Sequence, residues 1–326
     1  MKLRKWRMGL RALCWLLPSI AWAQASEDAL QWLQRVASSA EKLNYGGVFV
    51  YRSGNNSETS RITHFSDGSR EREVLEVLDG SPREVVRDND ETRCYLPESR
   101  LVVVERHSSR RSFPALSPGG LGALTDYYAV SKRAVTRMAG YKAQLLQVDA
   151  RDDLRYSRQF WIEANTGLLL KAVLLGENGE PRESFAFTDL KIGGVVDRAA
   201  LAGHVKAKAA DWRVHNVRVV DAGANGLSWG LRASIPGFRM VSAMLRQTSP
   251  TAPEVTHMVL SDGLAAISVF VEPLAPGKFR GEGRVTSMGA MNVYRRSIGD
   301  MQVTVIGDVP PLTLKRVADN VEAKHK

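Results

Sequence analysis

The sequence predicts an α+β protein built on two antiparallel sheets, and three observations carry that expectation. Short alternating segments recur at roughly ten-residue intervals from Tyr45 onward, with turn residues between them. The connections are too short for the crossovers that a parallel sheet needs. Helical periodicity is confined to one stretch before these segments and one at the C-terminal end.

The 326-residue chain opens on Lys2, Arg4, Lys5 and Arg7, followed by an apolar run over 12–20 around Pro18. Ala21-Trp22-Ala23 then offers small residues at the two positions a signal peptidase reads. Residues 1–23 are therefore expected to be a signal peptide cleaved after Ala23, too short and wrongly flanked to span a membrane. Cys14 follows Leu13, where a lipoprotein signal would want a small residue, so no lipid anchor is expected. Export excludes nucleic acid and cytosolic cofactor pools as natural partners. Losing Lys2, Arg4, Lys5, Arg7 and Arg11 lowers the formal charge from +10 to about +5, mildly favourable to an anionic ligand. Only Cys94 then remains, so burial rather than an internal disulfide must hold the fold.

Residues 26–43 read as an amphipathic helix. Leu30, Leu33, Val36, Ala37, Ala40 and Leu43 recur at three and four, Ser26 is placed to cap, and Gly46-Gly47 to stop it. Strands are expected over 45–52, 59–65, 72–78, 83–86, 92–96 and 101–104, then over 141–150, 155–163, 168–175 and 183–190. Asn178-Gly179 is a strong signal for a tight hairpin. Residues 24–197 make the first domain, and an alanine-rich stretch over 198–211 reads as a linker. Residues 212–326 make a second, smaller domain. Its strands are expected over 226–234, 239–245, 254–260, 264–271, 285–287, 291–297 and 301–306. A terminal helix follows Pro310-Pro311, with Leu314, Val317, Ala318 and Val321 on one face.

Catalytic signatures are absent: no Gly-x-Ser-x-Gly, no His-Glu-x-x-His, no phosphate-binding glycine loop and no dinucleotide fingerprint. Histidines 64, 107, 204, 215, 257 and 325 are scattered without metal-site spacing. Glu71 with Glu73, and Asp152 with Asp153, sit in charged turns and strand ends. No catalytic residue, metal or cofactor is expected.

Two features suggest binding. Tyr45, Gly47, Phe49 and Tyr51 share one strand face, and with 101–104 and 168–170 they make a sheet apolar on both faces over part of its length. That pattern suits either core beneath a helix or the wall of a lipid-sized cavity. Between the two strand series, residues 112–131 mix Pro and Gly with Phe113, Leu116, Leu121, Tyr127 and Tyr128. They read either as a loop packed over the sheet or as a mobile lid on an apolar cavity. Phe49, Tyr51, Phe113, Leu116, Leu121, Tyr127 and Tyr128 are thus the candidate lipid-pocket residues. Arg106, Arg110 and Arg111 precede the segment and Lys132 and Arg133 follow it, candidate contacts for an anionic headgroup or simply a solvated basic loop.

The chain resembles the RseB/MucB family of periplasmic regulators. The resemblance rests on YGGVFVYR at Tyr45, LDGSPREVVRDNDETRCYLPE from Leu78 and RYSRQFWIEANTGLLLKAVLLGENGEP from Arg155. In the second domain it rests on MVLSDGLAAISVFVEP from Met258 and VTVIGDVPPLTLKRVADNV from Val303. It implies a LolA-like curved β half-barrel packed on helices, joined to a smaller α+β domain. It also implies a periplasmic protein that binds the periplasmic part of a MucA-like anti-sigma factor and shields it from the first regulatory protease. The sigma factor for envelope-stress and alginate genes then stays sequestered until a lipopolysaccharide-type lipid releases the shield. The family supplies no catalytic residues. A LolA-like carrier of lipid or lipoprotein is the alternative; it predicts the same cavity but gives the second domain no partner. Self-association is left open.

Overall fold

The computed structural model describes residues 19–106, 123–247, 251–275, 277 and 283–324, with side chains in the first helix from Asp28 onward. Helix α1 (Ser19–Lys42) begins before the expected position 26, which lies in its interior rather than at its cap. Its stripe of Ala29, Leu33, Val36, Ala37 and Ala40 is buried as the spacing predicts. The stripe packs on Leu124, Tyr128, Leu146, Phe160 and Ile162, and each large side chain buried there contributes roughly 1.5–3 kcal/mol. Among the described residues, no helix is long and apolar enough to cross a membrane.

Six strands follow: β1 (Tyr45–Ser53), β2 (Asn56–Ser66), β3 (Glu71–Val77), β4 (Glu84–Asp88), β5 (Glu91–Leu96) and β6 (Leu101–Arg106). After the short helix α2 (Leu124–Tyr127) come β7 (Tyr128–Met138), β8 (Tyr141–Ala150), β9 (Ser157–Glu163), β10 (Leu169–Leu175) and β11 (Pro181–Ile192). The spatial order is 7-8-9-10-11-1-2-3-4-5-6, antiparallel at every step. β1 therefore sits mid-sheet between β2 and β11. At Gly47 an added Cβ would stand 2.3 Å from the Asp189 carbonyl oxygen, so β11 can approach only a glycine there. Strand β7 was not expected, because residues 132–137 are all exposed and show no inside–outside alternation.

Residues 198–211 hold a short helix, α3 (Arg198–Ala202), and a single 3₁₀ turn over Lys206–Lys208. The stretch expected as a linker is fastened to the first sheet. Glu84 accepts the backbone N–H groups of His204, Val205 and Lys206 at 2.7, 3.1 and 3.1 Å. Val205, Ala209 and Trp212 pack on Val74, Val86, Tyr95, Val102 and Val104.

Strand β12 (Arg213–Asp221) joins the two sheets. Arg213–Val217 pair in parallel with Leu101–Glu105 of β6, an exception to the all-antiparallel expectation. Arg218–Asp221 pair antiparallel with β14 (Arg239–Gln247). The second sheet continues through β15 (Val255–Ser261), β16 (Ala266–Pro273), β19 (Met301–Gly307), β18 (Met291–Ile298) and β17 (Arg284–Met288). The strand expected over 226–234 is instead the end of a short helix, α4 (Gly223–Gly226), and a three-residue strand, β13 (Trp229–Leu231). β13 pairs with β20 (Val321–Ala323) in a small separate ribbon. Helix α5 (Pro311–Asn320) starts with Pro at its first position, as expected, and buries Leu314, Val317 and Ala318 against β18 and β19 of the second sheet. The result is an α+β protein with one large and one smaller antiparallel unit.

Candidate functional site

The expected lipid-pocket residues do not converge in the described part of the molecule. Phe49 is only 4% exposed and packs edge-to-face on Phe185 and Phe187, with centroids 5.0 and 5.9 Å away. It is core, packed among Tyr45, Ile62, Leu168 and Leu170 of the same sheet and the strand ends beside it. Tyr51 lies at the margin of the same cluster, its phenol pushed up to about 12 by burial and then by Glu183. Phe113, Leu116, Leu121, Arg110 and Arg111 lie outside the described residues. Arg106 pairs with Glu91 at 3.0 Å and Lys132 with Asp28 at 2.8 Å, while Arg133 is exposed on β7. β6 and β7 share no pairing, so these cations do not form one cluster through the sheet.

Tyr127 and Tyr128 belong to a seam between the two units rather than to a lipid mouth. Arg155, in the turn after β8, has a fully buried side chain and stacks over both tyrosine rings and over Phe238, 4.5, 5.5 and 5.1 Å from their centroids. Its Nη1 donates to Asp262 Oδ2 at 2.8 Å, its Nε to Asp152 at 2.8 Å and its Nη2 to the Pro236 carbonyl at 2.7 Å. Asp262 also accepts the Tyr128 hydroxyl at 2.9 Å and the backbone N–H groups of Leu264 and Ala265. Burial, and then the Asp262 charge, push the Tyr128 phenol far above its ordinary range. Arg158 of β9 pairs with Asp308, and Glu105 of β6 with Arg246 at 2.7 Å. Leu154 sits inside the second core, and its carbonyl accepts the Thr313 hydroxyl at 2.8 Å. Asp262 is saturated by donors, so the cluster clamps rather than catalyses.

The sequence reading missed this clamp. Its traces are two arginines, 155 and 158, entering an apolar strand, and Asp262 within Ser261-Asp262-Gly263, a sequence whose turn-forming tendency hides any other role.

A second polar feature crosses the first sheet. Tyr45, His64, Glu73, Arg87, Thr92 and Glu105 stand directly opposite one another from β1 to β6 and so share one face. Glu73 accepts from Arg87 at 3.0 Å, but its second oxygen has no hydrogen-bond partner among the described residues. Burial pushes the Glu73 carboxyl up to about 7, with Arg87 and His64 opposing.

A cleft of ≈ 730 Å³ opens between the β2–β3 end of the first sheet and residues 194–206. Arg70, Arg72, Arg198 and Lys206 supply charge, and Phe65, Val195 and Leu201 supply apolar wall. Asp88 binds both Arg70 and Arg72, and Arg72 Nε donates to the Leu201 carbonyl at 2.8 Å. Among the described residues, no group of His, Cys, Asp and Glu side chains could hold a metal.

Comparison with known proteins identifies this arrangement. The MucB/RseB N-terminal domain matches residues 28–205 and the MucB/RseB C-terminal domain residues 224–322. The chain belongs to the MucB/RseB family. It is 32% identical over 321 residues to the sigma factor AlgU regulatory protein MucB of Pseudomonas aeruginosa, covering 95% of this chain and 96% of that protein. It is 26% identical over 292 residues to the sigma-E factor regulatory protein RseB of Escherichia coli K12, covering 89% of each. Among solved structures it resembles MucB in complex with MucA(peri), with 28% identity and a TM-score of 0.70, covering 92% of this chain and 100% of that one. A crystal structure of MucB gives a TM-score of 0.66 at 29% identity. The MucB/RseB likeness therefore spans both units and β12 between them.

Proposed function

We propose that this protein is a periplasmic negative regulator that binds the periplasmic part of a MucA-like anti-sigma factor. It shields that segment from regulated proteolysis, so the cognate envelope-stress and alginate sigma factor stays sequestered. A lipopolysaccharide-type lipid releases the shield. The observation that carries the reading is the likeness, over nearly the whole chain, to MucB solved with MucA(peri). A clamp of saturated ion pairs and the exposed strand β7 at the end of the first sheet suit partner binding better than chemistry.

In this reading the first sheet is a LolA-like curved half-barrel, a shape favoured by its continuous antiparallel order and by α1 across one end. The chain is exported by its N-terminal signal, so mass spectrometry of the secreted form should give Gln24 as the first residue. Pull-down with the purified periplasmic segment of the anti-sigma factor tests the central claim. Capture, with slower cleavage of that segment by its protease, supports it. Absence of capture under conditions where the protein still takes up lipid would favour a LolA-like carrier.

A further inference from the structure

We propose that the cleft between β2–β3 and residues 194–206 is a site for a phosphate-bearing amphiphile, and that filling it clamps this segment onto the first sheet. The inference rests on the lipid-release reading above for its natural source. It places the headgroup contacts at Arg70, Arg72, Arg198 and Lys206 rather than at Arg106 and Arg133.

Four cations from two separate stretches of chain line the cleft. Three carboxylates are bonded to lining residues, and all are already engaged. Asp67 accepts the Ser69 hydroxyl and the backbone N–H groups of Ser69 and Arg70. Asp88 is shared by two guanidiniums, and Glu84 accepts three backbone N–H groups. The site therefore keeps a net positive charge, and Arg198 and Lys206 make no side-chain ion pair among the described residues. Guanidinium groups suit phosphate because their planar forks grip its oxygens in pairs.

The other half of the lining is apolar. Val195 is 96% exposed, and Val196, Phe65 and Leu201 lie beside it, leaving apolar surface that an alkyl chain would cover. The volume falls within the ordinary range of small-molecule sites, roughly 300–1,000 Å³. Phosphate and chain thus have separate places in one cleft.

Position gives the site a consequence. Arg70 and Arg72 belong to the sheet side, Arg198 and Lys206 to the segment that runs through Trp212 into β12. A ligand bridging the two sides finds all its contacts only when the segment is seated. It therefore favours the seated state by its difference in affinity for the two states.

The test is calorimetric titration of the full mature chain with dodecyl phosphate below its micelle concentration, beside inorganic phosphate and dodecyl maltoside. Dodecyl phosphate should bind, more weakly as salt is raised, and both controls should bind at least tenfold more weakly. The double variant R198A/K206A should lose about tenfold in affinity for dodecyl phosphate with an unchanged melting temperature, since both side chains are exposed. R133A/R137A, on exposed β7, should bind like wild type. Full affinity in R198A/K206A, or an equal loss in R133A/R137A, would overturn the location. Equal affinity for inorganic phosphate would reduce the site to a free-anion site and overturn the amphiphile assignment, and equal affinity for the maltoside would overturn the phosphate contacts. Capture of the anti-sigma segment, measured separately on the same variants, keeps failure of this site distinct from failure of the regulator reading.

Discussion

Asp262 accepts from a guanidinium, a phenol and two backbone N–H groups in a seam closed to water, so its loss strands more than one donor. Asp262→Ala should cost about 3–5 kcal/mol, because Arg155 is then buried without its main counter-charge. The double change Arg155→Met with Asp262→Leu should recover only part of that, since it removes the stranded charge but leaves the Tyr128 hydroxyl and the Leu264 and Ala265 N–H groups without their acceptor. Urea midpoints of the three proteins check the order. Glu73 makes a different prediction. Its carboxyl, at about 7 in the folded chain against an ordinary value near 4.5, holds its proton longer folded than unfolded. Folded protein then binds more protons between those two values, and the Glu73 contribution to stability falls as pH rises through that window. The slope approaches about 1.4 kcal/mol per pH unit at most and vanishes above it. Glu73→Gln should flatten the stability profile between pH 4.5 and 7; an unchanged profile would show that Glu73 ionises normally.

At the scale of elements, α5 is the simplest case. Leu314 is wholly buried in the second core, where α5 packs on β18 and β19, so Leu314→Ala should cost about 2–5 kcal/mol and Leu314→Asp more. A thermal melt of Leu314→Ala matching wild type would refute that packing. α5 was legible because its stripe and its leading prolines agree, and the central strands were legible because turn residues punctuate alternation. β7 escaped notice because an exposed stretch leaves no alternation to read. β12 escaped because only His215, Val217 and Val219 are half-buried, each between exposed neighbours, and its partners lie on two different sheets. The candidate site was less legible than the fold. Phe49 and Tyr128 look alike in sequence, one a core ring and the other a hydroxyl reaching Asp262 across the seam. Only spatial neighbours separate the two.

The two sheets share β12 and are held by the Arg155–Asp262, Arg158–Asp308 and Glu105–Arg246 pairs. Wild-type protein should therefore unfold in one calorimetric transition, with equal van't Hoff and calorimetric enthalpies. Asp262→Ala should separate it into two. Two transitions in the wild type would mean that the shared strand does not couple the units. Limited proteolysis gives a second check. A free linker over 198–211 would be cut first, whereas a stretch held by Glu84 and by Trp212 against the sheet is cut only when it unseats, more slowly than a free linker.

The mid-sheet place of β1 sets an order of assembly. Tyr45 lies opposite His64 on one side and opposite Ile192 on the other, so β1 finds its first neighbour at once and its second only after eleven strands have emerged. Until then a strand carrying Val48, Phe49 and Val50 presents an open edge, and pairing across so long a loop is slow. Nascent or newly exported chains should thus pass through a long-lived, chaperone-dependent stage that ends when residues 181–192 dock. Truncations ending before residue 181 should aggregate however well their remaining strands pair.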